Sequence, residues 1–259
     1  MKIKSICFVA EGYPTGSEPI YTFFRQLVCA MADRQIKCFV LVPQSITKAF
    51  LRGKAKRPFR WTDTTAKGSI IEVYQPGFVS LSNLTVFGVG LTSFFRELTL
   101  RRIYRKLGIK PDVLYAHFWH IGIACVPISS RYRSPIFVAS GESTIAVRNL
   151  YWKKVIRFRQ NRIRGVICAS TKNLEESEKL QLASKDEMIV IPNAVDRTMF
   201  FQRDKTEVRE ELDIAIEDFV IAFVGAFDER KGARRLSKAL EKVATAKAIF
   251  IGSGEQRPS

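Results

Sequence analysis

Three apolar runs in this chain stop at residues that could do chemistry. Val113-Leu114-Tyr115-Ala116 ends at His117, with His120 close behind. Ile136-Phe137-Val138-Ala139 ends in Ser140-Gly141-Glu142. Phe219–Val224 ends at Gly225 and runs on to Arg230-Lys231-Gly232. In open parallel sheets ligands collect at the carboxyl ends of strands, so His117 and Glu142 are expected to face one crevice. A strand, a glycine turn and a helix bring backbone N–H groups and a helix N-terminus against a phosphate, and that is the chemistry expected around Gly225. Taken singly, such a histidine is as readily structural, and Arg230 and Lys231 are ordinary helix-entry charges.

The elements that must position these residues alternate between strand and helix. Residues 3–10 form a continuous apolar run, as in a strand buried on both faces of a parallel sheet. A loop with Gly12, Pro14, Gly16 and Pro19 follows, then a helical stretch over 20–32 and a strand over 36–42. This is a βαβ unit. It lacks G-x-G-x-x-G, so a nicotinamide dinucleotide site is not expected. Further strands are expected over 69–74, 112–118, 135–139 and 165–169, giving one parallel sheet of α/β type. Helices are expected up to Gly108, with Pro111 as a stop signal, and after Ser170-Thr171, where Ser170 caps.

Residues 189–232 carry a resemblance. Ile189-Val190-Ile191-Pro192-Asn193-Ala194-Val195-Asp196 precedes Phe223-Val224-Gly225, then Lys231-Gly232 and a leucine-bearing helix. The order and spacing resemble glycosyltransferase family 4, nucleotide-sugar enzymes of the GT-B fold. The resemblance implies an α/β, GT-B type chain: a Rossmann-like N-terminal domain over 1–195, a linker over 196–218 and the start of a second Rossmann-like domain over 219–259. In that family Asn193 enters the interdomain crossing, and the glycine turn with its basic residues holds the donor diphosphate. The implied donor-binding residues are therefore Gly225, Arg230, Lys231 and, in the first loop, Gly16. His117 matches the family's cleft histidine, and Ser170 matches its serine after the strand.

The chain departs from the pattern in four places. Ala194 stands where a glycine is usual, and Ala226 where an arginine is usual, which leaves Lys231 with Arg230 as compensation. The turn after residue 139 has no histidine, so Glu142 is the expected replacement, and His117 and Glu142 are the implied catalytic pair. The acidic segment that contacts sugar and ribose has no counterpart, so the resemblance implies a fragment of the family's pattern. It also implies retention of configuration, no metal, a glycan or lipid-linked acceptor in cell-surface polysaccharide synthesis, and little transfer by these residues alone.

Composition narrows the partners. The chain has 259 residues, 46% of them apolar, and a formal net charge of +17. That charge suggests an anionic partner: nucleic acid, a membrane surface or phosphorylated ligands. With no helix-turn-helix, RNA-recognition or zinc motif, nucleic acid is not the expected partner. Residues 44–68 and 144–164 are basic with interleaved aromatic residues and read either as solvated surface or as an anionic-membrane contact. Residues 73–95 are uncharged, but Pro76, Gly77, Asn83, Gly88 and Gly90 argue against a span. Five scattered cysteines without a C-x-x-C pair read as reduced, buried thiols of a cytoplasmic protein, peripheral on the inner face of the membrane at most. The alternative to an enzyme is an inactive remnant that binds a membrane or partner through its basic face.

Overall fold

The structure, a computed structural model, describes residues 2–15, 20–51, 53, 56–81, 84–87, 89–147, 162–243 and 245–255. Gly16 and residues 148–161 of the second basic run lie outside the described residues. The chain divides into two compact units, residues 1–195 and 196–259.

The first unit is built on one sheet. Its elements are β1 (Ser5–Val9), α1 (Thr22–Ala32), β2 (Lys37–Leu41), α2 (Ile46–Leu51), β3 (Arg60–Thr64), β4 (Ile70–Tyr74), α3 (Leu91–Leu107), β5 (Val113–His117), α4 (Trp119–Tyr132), β6 (Ile136–Ser140), β7 (Ile163–Cys168), α5 (Thr171–Lys179) and β8 (Met188–Val190). Among the described residues the strands lie in the order β8-β7-β6-β5-β1-β2-β4-β3. All neighbours are parallel except β3 and β4.

Burial follows the strand alternation. Cys7, Val9, Leu41, Leu114 and Ala116 face one side and pack with Leu100 and Tyr104 of α3 and Ile121 and Ile123 of α4. Ile6, Phe8, Cys38, Val40 and Val113 face the other and pack with Phe24 and Val28 of α1. Period-two alternation with apolar residues on both faces is what a sheet covered on both sides requires. Cys7, Cys38, Cys125 and Cys168 are buried in it as free thiols, and Cys29 is half-buried.

Strand β3 was not expected from the sequence, where residues 44–68 read as loop. Its cause is a polar clamp. Asp63 accepts from Arg25 Nε at 2.6 Å, Arg25 Nη2 at 2.9 Å and Tyr13 Oη at 2.8 Å. The edge strand thereby ties α1 to the loop after β1. Burial works against the Asp63 carboxylate, yet the bonds from Arg25 and Tyr13 more than offset it and hold its pKa below the usual range.

The second unit contains α6 (Lys205–Glu211), β9 (Phe219–Val224), α7 (Ala233–Leu240) and β10 (Ala246–Ile251). Residues 196–218, read from sequence as a linker, thus hold a helix. Asp204 caps it, accepting from the backbone N–H of Thr206 at 2.8 Å and Glu207 at 3.1 Å. β9 and β10 pair in parallel, and the pairing continues past their ends through Gly225 N to Ile251 O at 3.0 Å. Gly252 permits this approach, since a Cβ there would sit 1.9 Å from Gly225 O. No described helix is long and apolar enough to cross a membrane.

Candidate active site

The connections from β1 and β5 part in opposite directions. β1 leads through α1 to β2 on one side, while β5 leads through α4 to β6 on the other. This is a topological switch point, where an open sheet leaves a crevice beyond its carboxyl edge. Val9 pairs with Ala116, so Ala10 and Glu11, just past β1, are brought level with His117, the last residue of β5, and with Phe118. Phe118 has φ 82°, a left-handed conformation costly for an aromatic residue and typical of a chain forced to turn sharply at a site.

His117 is 6% exposed, and neither ring nitrogen has a hydrogen-bond partner among the described residues. Its ring is boxed by aromatic neighbours, with centroids 4.3 Å from Phe118, 5.2 Å from Phe24 and 5.4 Å from Phe23. Burial, then the nearby His120 charge, depress its pKa to about 4, with Glu11 pulling weakly the other way. The imidazole is therefore neutral at pH 7, with one N–H to donate and one nitrogen to accept. A sugar hydroxyl matches both.

Glu11 is the centre of charge in the crevice. Its Oε1 lies 3.1 Å from Arg96 Nη1 and 3.0 Å from His120 Nε2. The His120 contact lacks the alignment of a hydrogen bond. Burial pushes the Glu11 carboxyl up, but His120, Arg96 and Lys48 prevail and bring it down to about 2. Next to it, Gly12 lies against the Tyr21 ring, which a Cβ would meet at 2.4 Å. Sequence reasoning missed Glu11 and Arg96. The signal for Glu11 was present, because it is the first charged residue after an apolar strand, the position at which His117 was recognised.

Glu142 is held in place by its own hydrogen bonds. Its Oε1 accepts from the backbone N–H of Trp119 at 2.6 Å, and its Oε2 from Ser140 Oγ at 2.9 Å and Gly141 N at 3.0 Å. Trp119 opens α4, so the carboxylate satisfies a free N–H at a helix start and meets the positive end of the helix dipole. Ser170 caps α5, accepting from Asn173 N at 3.3 Å and donating to Asn173 Oδ1 at 2.8 Å. Asn173 Nδ2 in turn donates to Glu142 O at 2.8 Å, and Trp119 Nε1 donates to Ser177 Oγ at 3.0 Å. Glu142, Ser170 and α4 are thus one hydrogen-bonded group beside His117. Asn193 is exposed in the segment after β8.

In the second unit, Gly225 ends β9, and a tight turn follows in which Lys231 N donates to Asp228 Oδ1 at 2.7 Å. Gly232 takes a left-handed φ of 81° and begins α7. The side chains of Arg230 and Lys231 are exposed at this helix start. Two cations beside free N-terminal N–H groups form an arrangement suited to a phosphate.

No protein-family profile matches the chain. TuaC of Bacillus subtilis, named as a teichuronic acid biosynthesis glycosyltransferase, is 23% identical over 96% of this chain. Among solved structures, HepE of Anabaena in complex with UDP is similar over 98% of this chain, with a TM-score of 0.60 and 16% identity. Sucrose-phosphate synthase of Thermosynechococcus elongatus is similar over 95%, with a TM-score of 0.62 and 12% identity. The chain spans 65% of the length of TuaC and 62% of each of the two solved chains. The chain has the α/β fold, with a large and mostly parallel sheet, of GT-B type glycosyltransferases.

Proposed function

We propose that the chain belongs to a family 4 glycosyltransferase, which transfers a sugar from a nucleotide-sugar donor to a glycan or lipid-linked acceptor with retention of configuration. The setting proposed is cell-surface polysaccharide synthesis on the cytoplasmic face of a membrane. The observation that carries this is a buried, neutral His117 with both nitrogens unpartnered, at the switch point of a GT-B type sheet. His117 binds a sugar hydroxyl. Glu11, with Arg96 and His120, sets the charge beside it. Glu142 acts chiefly by fixing the start of α4, and with Ser170 it shapes the crevice wall.

Transfer requires a diphosphate leaving group stabilised by positive charge. Lys231 and Arg230 supply that charge, and Gly225 allows close approach. No metal is assigned to the reaction.

The test is incubation of the chain with labelled nucleotide sugars, UDP-glucose first, and a bacterial lipid extract. Slow transfer that is unaffected by a chelator and abolished by His117→Ala supports the reading, and the anomeric configuration of the product tests retention. Transfer at an unchanged rate in the His117 variant would refute the assignment.

A further inference from the structure

Two apolar tips stand beside the crevice and take no part in the site described above. One is the end of α2, where Phe50 is 84% and Leu51 76% exposed. The other is the turn before α3, where Phe87 is 83%, Leu84 55% and Val86 45% exposed. Large apolar side chains this exposed mark an interaction surface.

The two tips are joined by hydrogen bonds. Ser80 N donates to Thr47 Oγ1 at 3.2 Å, and the hydroxyls of Ser45 and Ser80 are 2.7 Å apart. Leu81 N donates to Thr92 Oγ1 at 2.9 Å, and Leu91 N to Leu84 O at 3.0 Å. These bonds tie α2 to the described residues before α3 and to the start of α3. The link continues into the crevice, because Arg96 of α3 packs over the Phe78 ring at 5.4 Å and pairs with Glu11. Lys48 of α2 lies close enough to act on the Glu11 carboxyl.

The sign of charge around the tips selects the occupant. Residues 44–60 and 76–95 contain no acidic residue, while the first of these segments carries Lys48 and Lys56, besides Arg57, which donates to Tyr13 O, and Arg60, which pairs with Glu72. Apolar tips flanked by cations fit the interface of an anionic bilayer, where aromatic side chains reach the acyl boundary and cations meet the headgroups. An acidic protein partner would match the charge but not two separate projecting tips.

We infer that Phe50, Leu51 and Phe87 are wedges that insert this unit into an anionic lipid surface and hold the crevice at the bilayer, where a lipid-linked acceptor would be. This deepens the lipid-acceptor reading and depends on it for its purpose. Insertion itself needs neither donor nor acceptor, so it can fail or hold independently of transfer.

The test is sedimentation of the full chain with vesicles of phosphatidylcholine alone and with added phosphatidylglycerol, at low and high salt. Binding should require phosphatidylglycerol, and Phe50→Ser with Phe87→Ser should lower partitioning by at least about tenfold without changing the melting temperature. Phe87→Trp should gain fluorescence that brominated acyl chains quench beyond the parent chain's own tryptophan signal. Equal partitioning of the double variant, or no quenching, would overturn the inference. So would a lipid-free dimer that the double variant abolishes, since the patch would then belong to a second copy.

Discussion

Glu11 Oε1 and His120 Nε2 stand 3.0 Å apart, one past the end of β1 and the other in the first turn of α4. The pair closes the switch point from both sides. With Arg96 on the same oxygen, the carboxylate sits between a guanidinium and an imidazole.

The pH response of the fold follows from this cluster. The Glu11 carboxyl lies at about 2 when folded against an ordinary 4.5, so its contribution is complete above pH 4.5 and is lost as pH falls towards 2. His117 lies at about 4 when folded against 6.5, so the unfolded chain takes up its proton first. Stability therefore declines as pH drops from 6.5 to 4, by on the order of 2–3 kcal/mol from this histidine. Melting temperatures across pH 7 to 3 should show both steps, and Glu11→Gln should remove the lower one.

His117 should show opposed effects on stability and function. Its two unpartnered nitrogens are a cost of burial, while its ring packs well. His117→Phe keeps the ring contacts and removes both polar atoms, and should stabilise the fold by about 1 kcal/mol. The same variant should lose transfer. Thermal unfolding and a transfer assay on one preparation read both.

Glu142 separates a structural from a chemical role. Glu142→Ala removes three hydrogen bonds, one from the start of α4 and two from Ser140 and Gly141, and should cost about 1–2 kcal/mol. Glu142→Gln keeps an acceptor for Trp119 N and should recover more than half of that. If the Gln variant is as stable as the parent yet fails to transfer sugar, the carboxylate acts on substrate directly.

The sheet was legible because apolar runs such as residues 6–10 and 113–116 are largely buried on both faces, and burial writes itself into composition. His117 and Glu142 were legible as the polar residues that stop such runs. Strand β3 was not, because Asp63 is bound to Arg25 and Tyr13 across 38 and 50 positions, a clamp that no local pattern encodes. Arg96 was hidden for the same reason, since its pairing with Glu11 exists only once α3 lies beside the loop after β1. The helix over 205–211 was obscured by its charge, which comes from an element with no buried residue, capped by Asp204.

The central claim is that this chain handles a nucleoside diphosphate sugar, and ligand-observed NMR tests it directly. UDP-glucose, ADP-glucose and GDP-mannose are titrated with the parent chain and with Lys231→Ala. The account predicts weak but measurable binding of one donor through its diphosphate, reduced by about tenfold when the Lys231 ammonium is removed. If none of the donors binds, or if one binds equally well without Lys231, the assignment of the Gly225–Gly232 turn as the donor site is contradicted.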